Sequence, residues 1–138
     1  MESLVNDQSF LAKKDSKVLV TGHTGFKGAW LVELLLMNSI EVSGLSLPPQ
    51  SNACLYDVFD HSKHLAEDCF VDIRNVDEVC KTVESVNPDI VFHLAAQAFV
   101  RRSYREPLLT WQVNLNGTLN LVQALHRLNK PVTLIVIT

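Results

Sequence analysis

The feature that most constrains the fold of this chain is a glycine turn that lies between an apolar run and an amphipathic run. Residues 17–21 form a short, β-branched apolar run, which is typical of a strand buried on both faces. Residues 22–28 hold three glycines at intervals of three, and apolar residues then recur at helical spacing over residues 29–37. This order of strand, turn and helix predicts the first unit of an α/β sheet.

The rest of the chain continues this alternation. Pro48 and Pro49 close a second strand, Asn87 and Pro88 end a helix that begins at Asp72 or Asn75, and Pro131 follows a longer helix. Such an order implies right-handed crossovers, so we predict a Rossmann-like, doubly wound parallel sheet, incomplete at about five strands. The four later strands are expected at residues 40–47, 69–71, 89–94 and 132–138, with a helical turn at 55–59. A helix ending near 87 carries an apolar stripe of Val76, Val79, Val83 and Val86, and the longer helix is expected from about 107 to 128.

Length and composition limit the functions that the chain can have. The 138 residues leave room for one domain, which we expect over residues 17–138 after a polar leader at 1–16. A net charge of −3 excludes the basic surface of a dedicated nucleic-acid binder, and the apolar runs are too short to span a membrane. The acidic start lacks the pattern of a secretory signal, so a cytoplasmic protein is expected. Three widely spaced cysteines, Cys54, Cys69 and Cys80, predict reduced core thiols and no metal site.

The glycine turn has the properties of a phosphate-binding loop. Gly22 permits a tight turn, Gly25 lets the backbone approach a pyrophosphate, and Gly28 allows close packing of the helix. The N–H groups at the start of the helix then face the anion. A purely structural turn is the alternative, but the flanking strand and helix favour the binding function.

Three segments carry a resemblance to a known family. The pattern Thr-Gly-x-x-Gly-x-x-Gly at residues 21–28 resembles the extended short-chain dehydrogenase/reductase superfamily. The wording Thr-Gly-His-Thr-Gly-Phe-Lys-Gly there, together with His-Leu-Ala-Ala-Gln at 93–97 and Val-Arg-Arg-Ser-Tyr at 100–104, resembles the CDP-glucose 4,6-dehydratases among the NAD-dependent epimerases and dehydratases. The resemblance covers about residues 17–138.

The resemblance also implies roles for individual residues. It places Phe26 and Lys27 at a pyrophosphate, Asp72 and Ile73 at an adenine, and residues 94–97 along the ribose and nicotinamide. The implied cofactor-binding set is Gly22, Thr24, Gly25, Phe26, Lys27, Gly28, Asp72, Ile73, Leu94, Ala95, Ala96 and Gln97. The implied substrate-binding set is Arg101, Arg102 and Ser103, for which a solvated loop is an equal alternative.

The implied cofactor is NAD. The acidic residue that usually ends the second strand and binds the ribose hydroxyls is absent, and Ser46, Leu47 and Pro48 occupy that neighbourhood. No arginine stands there in the sequence to bind a 2′-phosphate, so NAD is favoured over NADP, mainly by the resemblance.

The catalytic pair of the superfamily is missing from these residues. A Tyr-x-x-x-Lys pair lets a lysine lower the pKa of a tyrosine, but Asp60 follows Tyr56 and Leu108 follows Tyr104 at that spacing. We therefore predict an amino-terminal part of an enzyme, inactive alone, whose catalytic residues lie beyond Thr138.

The resemblance implies that the complete enzyme oxidises C4 of CDP-glucose with NAD, eliminates water across C5 and C6 and returns the hydride to C6, and that it is homo-oligomeric. The alternatives are another extended sugar-nucleotide dehydratase or epimerase, or a truncated, non-catalytic NAD-binding module.

Two histidines and two tryptophans are predicted to have structural roles. We predict that His23 fills a turn without a carboxylate partner and that His93 is a satisfied core residue. Trp30 and Trp111, at helical positions, are predicted to lie in the core.

Overall fold

The structure, a computed structural model, describes residues 15–50 and 54–137, so that nearly all of the predicted leader lies outside the described residues. Strands and helices alternate as predicted. The strands are β1 (Lys17–Thr21), β2 (Glu41–Ser46), β3 (Asp68–Phe70), β4 (Ile90–His93) and β5 (Thr133–Val136). The helices are α1 (Phe26–Met37), α2 (Leu55–Val58), α3 (Val76–Val86), α4 (Val100–Arg105), α5 (Pro107–Trp111) and α6 (Gly117–His126), with a 3₁₀ turn at His61–Lys63 and a π-helical turn at Gln112–Asn116.

The five strands form one parallel sheet in the order β3-β2-β1-β4-β5. Strand β1 lies between β4 and β2. Val20 of β1 pairs with Phe92 of β4 on one side and with Gly44 of β2 on the other. The chain leaves β1 toward β2 and later returns to place β4 on the other side of β1. This reversal of direction creates a crevice at the carboxyl ends of β1 and β4, where open α/β sheets bind ligands.

Helices cover both faces of the sheet, so the core has two parts. On one face α3 and α6 pack against the sheet, and the predicted valine stripe of α3 is confirmed because Val79, Val83 and Val86 are buried. On the other face α1 packs through Val32 and Leu35. The strand residues between these layers are mostly apolar, as expected for a parallel sheet, although Ser43 of β2 and His93 of β4 are buried polar residues.

Helix α3 begins where its sequence provides a cap. The Asn75 side chain accepts a hydrogen bond from the Glu78 N–H at 3.4 Å, so Asn75 and not Asp72 is the N-cap. None of the helices in the described ranges 15–50 and 54–137 is long and apolar enough to cross a membrane.

One sequence expectation about this part of the fold is wrong. Trp30 is 51% exposed and meets Phe59 edge to face, and Trp111 is 65% exposed, so neither tryptophan lies in the core. The predicted helix from 107 to 128 is confirmed as a continuous helical run from Pro107 to His126 that contains the π-helical turn, and a separate short helix, α4, precedes it. Apolar periodicity alone did not reveal which helical face meets the sheet.

The three cysteines are all free thiols, as predicted. Cys80 is buried, whereas Cys54 and Cys69 are only partly buried. The expectation of core positions is therefore met by Cys80 alone.

Candidate functional site

A cavity of about 410 Å³ opens at the carboxyl ends of the central strands. It brings together residues from the glycine turn, the ends of β2, β3 and β4, and the first helices after β4. The predicted cofactor residues that line it are Gly22, Thr24, Gly25, Asp72, Ile73, Leu94, Ala95, Ala96 and Gln97. Phe26, Lys27 and Gly28 do not line it.

The glycine turn leaves no room for side chains at two positions. Gly22 has φ of 76°, and a Cβ there would meet the backbone nitrogen of Ala95 at 2.8 Å. A Cβ on Gly28 would overlap the Gly22 carbonyl. These two glycines therefore hold the turn against the first residues after β4 and against the start of α1.

Gly25 differs because a Cβ there would meet a single neighbour. The only neighbour within 4 Å of a Cβ at this position is the Gly22 oxygen, at 3.2 Å, and Gly25 lines the cavity. Gly25 is also the N-cap of α1, which has no side-chain cap. The first N–H groups of a helix have no partner within that helix, so this end of α1 offers unpaired donors to an anion beside the cavity.

Phe26 and Lys27 form the first turn of α1 and are both exposed. The Phe26 side chain is 73% exposed and therefore presents a large apolar surface. Their assignment to a pyrophosphate stays a prediction, because their side chains lie outside the cavity lining.

Two hydroxyl groups and a carbonyl meet at the end of β2. Thr24 Oγ1 and Ser46 Oγ lie 2.6 Å apart. The Leu47 carbonyl oxygen lies 3.0 Å from Thr24 Oγ1 and 2.6 Å from Ser46 Oγ. All three residues line the cavity. The neighbourhood that lacks the usual acidic residue is therefore filled by uncharged oxygens.

A carboxylate and a guanidinium pair across the next part of the cavity wall. Asp72 follows β3 and accepts hydrogen bonds from Arg74 through both of its oxygens, at 2.5–3.0 Å. The Arg74 guanidinium holds the pKa of Asp72 below its usual value, against the opposing effect of burial. Ile73, which lies between Asp72 and Arg74 in the chain, is buried and packs beneath Gly117. A Cβ added to Gly117 would lie 2.6 Å from the Ile73 side chain.

His93 lies within a chain of hydrogen bonds beneath the residues that follow β4. Thr118 Oγ1 donates to the Asn114 carbonyl at 2.8 Å, so it accepts from His93 Nε2–H at 2.9 Å. The other ring nitrogen accepts from Thr21 Oγ1 at 2.7 Å, and that oxygen accepts from the N–H groups of residues 94 and 95 at 3.2 Å. Burial lowers the pKa of His93, which favours this neutral form. The prediction of a satisfied core histidine is confirmed.

The π-helical turn completes the support of the same segment. Asn114 lies in this turn, where its side chain accepts from the Gln97 N–H at 2.8 Å and donates to the Gln97 carbonyl at 3.3 Å. The Gln97 side chain binds Phe99 and Thr110 in turn. Residues 94–97 are therefore fixed from below, and one of their faces is left to the cavity.

The three predicted substrate residues separate in the structure. Arg102 lines the cavity and pairs with Glu106 at 3.2 Å, whereas Ser103 lines a second cavity beside Trp111 and Arg101 lines neither. All three lie on α4, which the sequence patterns did not predict. Their role in substrate binding stays a prediction.

The expectation that His23 has no carboxylate partner is wrong. His23 Nε2 lies 2.8 Å from Asp68 Oδ1, and the Tyr56 hydroxyl donates to the other oxygen of the same carboxylate. His23 is fully buried, and its ring fills the space left by the absent side chain of Gly44. Burial lowers the pKa of His23 despite the opposing effect of Asp68, and burial together with Asp68 raises the pKa of Tyr56.

This cluster, His23, Tyr56 and Asp68, ties the glycine turn to β3. Asp68 is 45 residues from His23 in the chain, and only the parallel pairing of β2 with β3 brings the two together. No spacing rule in the sequence could have found the pair. A glycine on the neighbouring strand, Gly44, was the one available signal that something large packs there.

Comparison with known proteins agrees with this geometry. The model of the family described as GDP-mannose 4,6 dehydratase matches residues 19–137. The chain belongs to this family. The resemblance to the sugar-nucleotide dehydratases and epimerases is therefore confirmed at the level of the family.

Relatives in this family and its neighbours carry several activities. The chain is 36% identical over 121 residues to a CDP-glucose 4,6-dehydratase of Salmonella typhimurium, covering 88% of this chain and 33% of that protein. It is 32% identical over 124 residues to a UDP-glucose 4-epimerase of Mycoplasma pneumoniae, covering 90% of this chain and 36% of that protein. The chain therefore spans about a third of the length of the curated relatives it matches.

A solved structure supports the same fold. The crystal structure of the Thermus thermophilus UDP-glucose 4-epimerase in complex with NAD has a TM-score of 0.68 and 33% identity. The match covers 80% of this chain and 34% of that one. The predicted Rossmann-like parallel sheet is confirmed by this likeness and by the observed strand order.

Proposed function

We propose that residues 17–137 form the NAD-binding part of a sugar-nucleotide 4,6-dehydratase that acts on CDP-glucose. The observation that carries this proposal is the cavity at the carboxyl ends of β1 and β4, where Gly25 and the uncapped end of α1 meet residues 94–97. A chain of net charge −3 would not attract an anion by its overall charge, so the local donors must do so.

The lining of the cavity fits a dinucleotide. Gly25 presents bare backbone where a pyrophosphate would approach. The two arginines of the wall are each paired with a carboxylate, Arg74 with Asp72 and Arg102 with Glu106, so the backbone N–H groups at the start of α1 are the proposed donors to the anion. Asp72 and Ile73 offer a polar edge and an apolar surface to an adenine, and residues 94–97 lie where the ribose and nicotinamide would follow. Bound NAD would supply the hydride acceptor and donor for the reaction.

The proposed division of labour leaves catalysis to other residues. Neither tyrosine of these 138 residues has a lysine four positions later, so we propose that the acid–base pair belongs to a part of the enzyme outside them. The residues described here bind and orient the cofactor. Arg102 at the cavity wall is the proposed contact to the sugar nucleotide, with Arg101 and Ser103 next to it on α4.

A 4-epimerase is the second candidate. It is favoured by the 32% identity to a UDP-glucose 4-epimerase over 90% of the chain. The wording of residues 23–27, which resembles the CDP-glucose dehydratases, favours the first candidate. Turnover by the complete polypeptide separates them, because a dehydratase forms a 4-keto-6-deoxy sugar from CDP-glucose, whereas an epimerase forms UDP-galactose from UDP-glucose.

NAD binding itself is tested by calorimetry on the chain and on Gly25→Val. The Gly25 backbone has φ of −75°, which any residue adopts, and a Cβ there would meet only the Gly22 oxygen, at 3.2 Å, so a small shift of the turn should let this variant fold. Its side chain would fill the approach to the pyrophosphate and should abolish measurable NAD binding. Ala66→Val, at an exposed residue outside the cavity, is the matched control and should bind NAD as the unmodified chain does. Equal NAD affinity in Gly25→Val and the unmodified chain would contradict the proposal.

A further inference from the structure

The outer face of α1 carries an apolar stripe. Phe26, Trp30, Leu34 and Met37 follow one another at intervals of four, four and three residues, so their side chains project from one side of the helix. Their exposed fractions are 73%, 51%, 45% and 75%. The opposite side of α1 already packs against the sheet. The stripe is therefore a second apolar face, and a contiguous exposed face of this kind indicates an interaction surface.

The proposed cofactor site does not use this stripe. None of the four side chains lines the cavity at the carboxyl ends of the strands. Phe59, after α2, meets Trp30 edge to face with 5.0 Å between the ring centres, and it leaves half of the indole exposed. An occupant of the stripe must therefore come from outside the described ranges 15–50 and 54–137.

The amino-terminal part of the chain joins the fold beside the last residue of the stripe. Strand β1 begins at Lys17, which pairs with Glu41 at the start of β2. Glu41 follows Met37, the last residue of α1, by four positions. Because paired strands lie about 5 Å apart, the residues before Lys17 leave the fold close to the end of α1, at the edge of the sheet opposite the cofactor cavity.

Residues 1–14 have the length and the composition to cover the stripe. Helix α1 has 12 residues and is therefore about 18 Å long. Fourteen residues span about 21 Å even in a helix and more in any extended conformation. Besides Met1, four large apolar side chains lie among them, at Leu4, Val5, Phe10 and Leu11.

The charges at the junction are complementary. Lys13 and Lys14 directly precede the first described residue, and the chain leaves the fold there close to the end of α1. The carboxyl-terminal end of a helix carries a partial negative charge, and the last turn of α1 has no basic residue of its own. Two lysines at this point favour a path of the segment along the helix.

From these observations we propose that residues 4–11 pack on the apolar stripe of α1, with the segment running from the end of this helix back toward the glycine turn. A tethered segment has an effective concentration in the millimolar range, far above that of a second copy of the chain in a dilute solution. The segment is therefore the favoured occupant. This inference is independent of the proposed function, because it uses none of the residues of the cavity.

Trp30 provides a direct probe of this packing. The chain has two tryptophans, so Trp111→Phe, at a residue that is 65% exposed, leaves Trp30 as the only one. Acrylamide quenching of the fluorescence is measured in this background. Phe10→Ser combined with Leu11→Ser should raise the quenching constant and shift the emission to longer wavelength, because the apolar cover of the indole is removed.

Asn6→Ser combined with Gln8→Ser is the matched control, since it changes two polar residues of the same segment and should leave both readings unchanged. Equal quenching in the apolar and polar double variants would overturn the proposal. Quenching that falls as the chain concentration rises, with or without the apolar substitutions, would identify a second copy as the occupant and would also overturn it.

A double-mutant cycle gives a second test that a general loss of stability cannot imitate. Phe10→Ala and Met37→Ala are made singly and together, and the unfolding free energies are measured by urea denaturation. The two changes should be non-additive, because each removes one side of the same contact. Phe10→Ala with Leu119→Ala is the matched control, since Leu119 is an exposed apolar residue of α6, and these changes should add. Additive effects in both pairs, or equal coupling in both, would overturn the proposal.

Discussion

Replacement of Asp68 by alanine tests whether the cluster of His23, Tyr56 and Asp68 holds the glycine turn in place. The Asp68 carboxylate accepts from His23 Nε2 at 2.8 Å and from the Tyr56 hydroxyl. His23 is fully buried and Tyr56 is 6% exposed. Asp68→Ala therefore removes the acceptor of two buried donors at once, from two different elements of the fold.

The size of the effect follows from this count. A buried donor left without an acceptor costs about 1–3 kcal/mol. Two such donors would cost about 2–6 kcal/mol together. The Asp68 side chain is 17% exposed, so water can reach part of the vacated space and the loss should fall in the lower half of that range, at about 2–4 kcal/mol. Small domains have a free energy of unfolding of only about 5–15 kcal/mol, so a loss of this size is easily measured.

Urea denaturation followed by tryptophan fluorescence measures this loss, with Trp30 close to the affected elements. Glu84→Ala removes the same charge from an exposed residue of α3 and should change the unfolding free energy by less than about 0.5 kcal/mol. Tyr56→Phe in both the unmodified and the Asp68→Ala background completes a double-mutant cycle. A stability of Asp68→Ala within about 0.5 kcal/mol of the unmodified chain would refute the reasoning.

Two further predictions concern stability. Burial lowers the pKa values of His23, His61 and His93. Below pH 6.5 the unfolded chain therefore binds protons more readily than the folded chain does. As the pH falls through this range, the unfolding free energy should fall by about 1.4 kcal/mol per pH unit for each histidine that stays neutral in the folded chain. Denaturation at a series of pH values checks this, and a flat profile from 7.5 down to 5 would contradict it. Gly117→Val should lower the unfolding free energy by about 1–3 kcal/mol because its side chain would overlap Ile73. Ala66→Val, at an exposed residue, serves as control, and equal stability of the two variants would argue against the overlap.

The architecture was accessible from the sequence because its signals are local. The apolar strands, the valine stripe of α3 and the glycine turn each lie within about a dozen consecutive residues, and the alternation of strands and helices then fixes a parallel sheet. All five strands lie where the patterns predicted them, with bounds that differ by a few residues. The crevice between β1 and β4 follows from the topology alone.

Local patterns failed where burial depends on which neighbour covers a helix. Leu115, Leu119 and Val122 recur at helical spacing, yet they are 46%, 57% and 45% exposed, whereas Leu121 and Ala124 on the other side of α6 are buried. Both faces of this helix are apolar, so periodicity does not distinguish them. The misplacement of Trp30 and Trp111 has the same cause, since an apolar side chain on a surface helix predicts burial only if another element packs over it.

The polar part of the site was less accessible because hydrogen bonds pair residues that are distant in the chain. The segment at 94–97 is held by Thr21, 73 residues before it, and by Asn114, 17 residues after it, through groups that are common in any soluble domain. Sequence motifs could mark the segment, but they could not indicate what supports it. The direction of each bond follows only from the completed network, in which the Asn114 carbonyl obliges Thr118 to donate and thereby fixes the tautomer of His93.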